Sequence, residues 1–114
     1  MTANVSNLPS AWAILAQAIA QRRPVRARYH DHERLLCPHA LGWKHGQAKV
    51  LAFQAEGATN HGPLPLDPRQ RWRSLFVDDI DTPTITDEQW STAPNYCLPT
   101  SAIDTIAFAI QDLK

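Results

Sequence analysis

Cysteine is scarce in this chain. Cys37 and Cys97 are the only two in 114 residues, too few for a disulfide framework or a zinc ribbon. Charge of one sign is not in excess, because 11 Lys and Arg meet 11 Asp and Glu; that excludes a histone-like or tail-like polycation. Long apolar runs are missing, so no membrane-spanning helix is expected. The first residues carry no basic stretch ahead of an unbroken apolar core, and no secretory signal is expected. With only four glycines, there is no Gly-rich phosphate loop, and neither G-x-S-x-G nor H-E-x-x-H occurs. What is present suffices for a core: the chain is 44% hydrophobic and holds four Trp. At this length a single domain over residues 1–114 is expected, soluble and cytoplasmic.

The balanced total hides a split. Up to Lys49 there are seven basic against two acidic residues, and after it four against nine. Such asymmetry marks either an anion-binding face or two halves that pair with each other or across a dimer.

Residues 9–22 predict a helix. Pro9 and Ser10 suit a first turn, Trp12, Leu15 and Ile19 recur at helical spacing, and Pro24 stops the run. From Val25 the period becomes 2, with Val25, Ala27 and Tyr29 alternating against Arg26, Arg28 and His30. Asp31-His32-Glu33 reads as a turn. A second strand over 34–43 should bend near Pro38, His45-Gly46 should turn a hairpin, and 47–54 should form a central strand. Residues 55–69, with three prolines and little apolar content, predict a long loop, functional or mobile. A fourth strand is expected over 70–77, a tight turn at 78–81, an irregular segment over 82–99, and a closing helix over 101–113. That helix rests on Ser101 and Asp104 at capping spacing and an apolar stripe of Ile103, Ile106, Ala107, Ile110 and Leu113. The expected class is α+β: a small antiparallel barrel of four to five strands over 25–80, flanked by a helix at each end. Closure is expected because it removes exposed edges.

The order of several short motifs resembles the WYL domain, a small SH3-like or Sm-like barrel of bacterial regulators and defence systems. The matching pieces are Ala18-Ile19 to Arg22-Arg23-Pro24, Arg28-Tyr29-His30 with Arg34 beyond the turn, and Cys37-Pro38-His39-Ala40-Leu41-Gly42. Val50-Leu51-Ala52-Phe53-Gln54 and the run from Trp72 to Ile80 follow. Trp90, Pro94-Asn95-Tyr96 and the stretch from Ile106 to Ile110 are similar to the tails of short stand-alone members. The naming tripeptide falls on Ala48-Lys49-Val50, Cys37 replaces a carboxylate, and Phe76 and Asp79 stand where basic residues are usual. With about 24 residues ahead of the barrel, no winged helix or ribbon-helix-helix is expected there.

The resemblance implies a ligand of negative charge, nucleotide or nucleic acid. On this chain it points to Arg26, Arg28, Tyr29, His30, Arg34, His39 and Arg73, with Arg28, Arg34 and Arg73 expected in one basic patch. Guanidinium groups grip phosphate bidentately, and Tyr29, Trp43 and Trp72 could stack on bases, at about 1–3 kcal/mol per base for single strands. The competing reading is a solvated charged face over a core holding those aromatics. His30-x-His32 with Cys37-x-His39 could form a Cys-His₃ zinc tetrahedron, but the spacing fits no standard ribbon; a hydrogen-bonded His39 beside Trp43 is the plainer use. Asp78, Asp79 and Asp81 suggest magnesium only weakly and read better as a solvated turn. Neither metal, cofactor nor catalysis is expected. The sequence therefore predicts a non-enzymatic accessory or sensor protein that binds an anionic ligand. The competing class is a protein–protein adaptor docking on a larger complex through barrel and C-terminal helix, and a homo-oligomer is compatible with either.

Overall fold

A computed structural model describes residues 11–96 and 102–110. Helix α1 spans Trp12–Gln21 and buries Leu15, Ala18 and Ile19; Pro9 and Ser10 lie outside the described residues. It stops where Arg22 turns left-handed, at φ 52° and ψ 54°. The Arg22 and Arg23 N–H groups donate back to the Ile19 and Ala18 carbonyls, the paired bonds of a Schellman stop.

Strand β1 (Val25–Tyr29) alternates as its sequence does, burying Val25, Ala27 and Tyr29 and exposing Arg26 and Arg28. The turn after it is shorter than expected: His30 and Asp31, both at positive φ, form a two-residue connection and Tyr29 pairs with His32. Two left-handed residues match the twist of a tight hairpin. Strand β2 therefore begins early, at His32–Lys44. The next turn falls at His45-Gly46 as expected, also at positive φ, and leads into β3 (Gln47–Glu56). After the long loop, β4 (Trp72–Phe76) runs into a 3₁₀ turn at Val77–Asp79. Strand β5 (Ile80–Ile85) occupies the start of the segment expected to be irregular, and β6 is Thr105–Ala109.

All pairings are antiparallel. The sheet runs β4-β3-β2-β1-β5, with β6 also on β2. Strand β2 organises it. One edge carries β3, while the other is divided between β1, opposite residues 32–36, and β6, opposite residues 40–43. The changeover brackets Pro38, which has no N–H to give, and the register against β3 shifts between Pro38 and Ala40. The expected bend is there.

Two expectations fail. The closing helix over 101–113 is instead β6 in its described part; Ser101 and Leu113 lie outside the described residues. Of the stripe, Ile103 and Ala109 are buried, but Ile106 is 36% exposed and Ala107 is exposed. An apolar spacing of three is weak evidence for a helix when a free strand edge is waiting for a partner. Gly42 admits β6: a β-carbon there would collide with the Thr105 carbonyl and the Ile103 side chain. Asp104, expected as a cap residue, instead holds the β2–β3 turn, accepting from the His45 N–H at 3.0 Å and pairing with Lys44 at 3.2 Å. The sheet also does not close into a barrel, because β4 and β5 are its two ends and are not paired with each other.

The central strands are covered on both faces. One face, with Leu36, Leu41, Val50 and Leu75, packs with Leu15 and Ile19 of α1. On the other, Ala40 and Leu51 meet Ile103 and Ala109, while Cys37 and Phe53 meet Ala93. The irregular residues after β5 thus roof the outer face. The charge split is largely internal pairing: Arg23 bonds Asp87, Arg26 bonds Glu88 and Glu56, and Lys44 bonds Asp104. Among the described residues no helix is long and apolar enough to cross a membrane.

Candidate functional site in the open seam

Where the sheet fails to close, a cleft of about 610 Å³ opens. Its walls are the unpaired side of β4 and the end of β1, and its rim is the loop at residues 59–65. One hydrogen bond spans the seam, from the Phe76 N–H to the Tyr29 hydroxyl at 3.1 Å.

Arg34 lies at the bottom, 3% exposed. Because His30 and Asp31 make a two-residue turn, Arg34 pairs with Ala27 and shares that residue's inward face. Its guanidinium stands over the Tyr29 ring, 5.1 Å from the centroid. It donates to the Gln54 side chain at 3.3 Å, the Tyr29 carbonyl at 3.2 Å and the Asn60 side chain at 3.1 Å. Every acceptor is neutral. Gln54 is fully buried and is oriented by giving its own amide hydrogens to the carbonyls of Glu56, Gly57 and Ala58. Gly57 makes that loop feasible: it sits at φ 104°, where a β-carbon would strike the Glu33 carbonyl.

Arg73 reaches the same cleft from β4, donating to the Gln70 and Trp72 carbonyls at 3.1 and 2.9 Å. Among the described residues neither Arg34 nor Arg73 meets a carboxylate within salt-bridge distance. The Nε atoms of both arginines and the Ser74 hydroxyl are buried without a hydrogen-bond partner, and all three residues line this cleft. Burial pulls both guanidinium pKa values down, and the Arg73 charge pulls Arg34 down further, against the opposing effect of Tyr29. Two unanswered cations, one buried and one half-buried, with unpartnered Nε atoms in one concavity mark a site that wants an anion.

The remaining expected site residues separate. His30 stacks on Tyr29, 4.0 Å between centroids, and stands at the cleft's edge. The Asn60 amide donates to its Nδ1 at 2.9 Å, which leaves Nε2–H to face Asp79 at 3.2 Å. Arg26 and Arg28 are on the opposite face of the hairpin, and both are answered. Arg26 grips Glu88 with two bonds of 2.7 and 2.6 Å and reaches Glu56 at 3.1 Å; those bonds, to Glu88 first, raise its pKa. Arg28 pairs with Glu33 at 3.2 Å and borders a second groove with Asp31, Asp78, Asp79 and Asp81. The expected single patch of Arg28, Arg34 and Arg73 therefore does not form. Arg34 and Arg73 share the seam, and Arg28 belongs elsewhere.

His39 is also apart, in the outer roof. It is 2% exposed, among Trp72, Trp90 and Tyr96 at centroid distances of 4.7 to 4.9 Å rather than beside Trp43, which stacks on Trp12. Nδ1 donates to the Cys37 carbonyl at 2.7 Å and Nε2 accepts from Thr92 at 2.9 Å. Burial drives its pKa down to about 4, so the ring is neutral. Cys37 is buried and its thiol pKa is raised by that burial; Cys97 lies outside the described residues. Among the described residues no three His, Cys, Asp or Glu side chains gather as a metal ion would need.

Sequence reasoning missed Ser74, Gln54 and Asn60 as parts of the site. Only the loop signal at 55–69 touched Asn60, because nothing local distinguishes an orphaned serine from a solvated one. Comparison with known proteins matches the chain to no family model, no curated protein and no solved structure.

Proposed function

We propose that this protein is a non-enzymatic, WYL-like accessory or sensor protein of a bacterial regulatory or defence system that binds an anionic, nucleotide-like ligand in the open seam of its sheet. The observation that carries this reading is the pair of buried Arg34 and half-buried Arg73 in one cleft, with no carboxylate among the described residues to answer them. A folded chain tolerates such cations where a ligand supplies the missing charge. Trp72 borders the cleft with its ring packed in the outer roof against His39, Phe53 and Tyr96, and it supplies a fluorescence signal. The seam is a place to bind: beside the two arginines it offers neutral donors and acceptors and no nucleophile paired with a base.

The test is direct binding of mononucleotides and short single strands, followed by Trp fluorescence and calorimetry at about 50 and 150 mM salt. Binding should weaken with salt as phosphate contacts release counterions, and Arg73→Gln should weaken it tenfold or more, the loss expected for a charge-assisted bond. Absence of binding by every anion offered would end this reading and favour the adaptor class.

A further inference from the structure

The distribution of charge around the seam bears on what kind of anion it takes. Arg34 is reached only from inside the cleft, and Arg73 stands close enough for its charge to depress the pKa of Arg34. Two guanidinium groups with spare Nε hydrogens suit one compact, doubly charged, tetrahedral group with many acceptor sites. A polymer needs the opposite layout: a track of free cations that follows successive phosphates. No such track leaves the seam among the described residues. Arg71 also has no carboxylate partner among the described residues, but its Nε donates to the Pro65 carbonyl at 2.7 Å, so it adds one cation at the rim and no track. Arg26 and Arg28 are bound to Glu88, Glu56 and Glu33. Beyond His30 the surface passes into the groove of Asp31, Asp78, Asp79 and Asp81, which repels a second phosphate arriving on that side. Apart from His30 and His61, the remaining walls carry no acidic or basic side chain and are partly apolar, including Trp72, Pro63 and Pro65. At about 610 Å³ the cleft falls within the range of small-molecule sites.

Resting on the reading above, we infer that the seam recognises a terminal phosphate monoester, such as that of a nucleoside monophosphate, and not the internal phosphodiesters of a strand. The phosphoryl group sits between Arg34 and Arg73, and the uncharged remainder lies towards the 59–65 loop.

The experiment compares four probes on the full chain: a nucleoside 5′-monophosphate, the matching nucleoside, and one single-stranded octamer made with and without a 5′-phosphate. The monophosphate should bind at least tenfold more tightly than the nucleoside, inorganic phosphate should compete with it, and the 5′-phosphate should improve octamer binding at least tenfold. Arg73→Gln, at a half-buried position, should erase most of that advantage. Equal binding of the two octamers would overturn the terminal-phosphate inference while leaving an anion site in the seam. A phosphate advantage untouched by that substitution would also overturn it, by placing the phosphate elsewhere. No binding of any probe would instead remove the anion-site reading itself.

Discussion

Arg28 and Arg34 belong to one hairpin and meet opposite fates. On the outer face Arg28 and its neighbour Arg26 lie half exposed against Glu33, Glu56 and Glu88. On the inner face Arg34 is buried with only amide and carbonyl oxygens for company. A third case is His39, which is as buried as Arg34 but can shed its proton, and does. Guanidinium has no such escape, because its pKa is too high to lose a proton in a protein. So Arg26 and Arg28 are answered by carboxylates, the buried imidazole by neutrality, and Arg34 and Arg73 by no carboxylate among the described residues. That contrast locates the site better than a count of basic residues does, since both faces of the hairpin are basic in sequence.

The largest expected effect tests the neutral member. An unfolded histidine titrates near 6.5 and folded His39 near 4, so between those values the unfolded chain binds the extra proton. The contribution of His39 is therefore whole above about pH 6.5 and is lost as pH falls towards 4, by on the order of 3 kcal/mol. Urea melts across pH 4–7 should show that slope, and His39→Leu should lack it; an equal slope in the variant would mean that His39 is not held neutral by burial.

Next in size is Arg34→Met. It leaves the Gln54, Tyr29 and Asn60 oxygens without their donor, at a cost of about 2–3 kcal/mol in chemical denaturation. A neutral result would show that Arg34 contributes nothing to the ligand-free fold. Arg73→Met should go the other way or stay flat, raising stability by up to about 1 kcal/mol, because it removes a desolvated charge that the free protein does not answer. If it destabilised as strongly as Arg34→Met, Arg73 would be a structural residue and the contrast would weaken. The smallest change belongs to Arg28→Met, within about 0.5 kcal/mol as for most exposed ion pairs. A larger loss there would break the distinction between the two faces.

Much of this fold is legible locally. The helix at Trp12–Gln21, the change of period after Pro24, the His45-Gly46 turn and the bend at Pro38 all follow from spacing and from the two residues that restrict or free the backbone most. The site was legible only in part. Tyr29, His30, Arg34 and Arg73 are singled out by residue type, but which face Arg34 takes depends on turn length. With Asp31-His32-Glu33 as the turn its facing is open; with His30-Asp31 it pairs with Ala27 and goes inside. One residue of register reverses a strand's faces, and composition does not encode that residue strongly.

The amino-acid order by itself determined the N-terminal helix, the antiparallel strands from Val25 to Phe76 and the supply of cations, because these rest on interactions among near neighbours. Only the tertiary structure decided that residues 105–109 form a strand, that the sheet stays open between its ends, and that the two arginines of the seam are left without a carboxylate among the described residues. Each of those outcomes is a competition between segments far apart in the chain. Strand β6 follows from the free edge of β2 and the room left by Gly42, and the charge state of the seam follows from where Glu33, Glu56 and Glu88 are already engaged. Pairing of that kind is settled by which groups meet after burial, and no local pattern carries it.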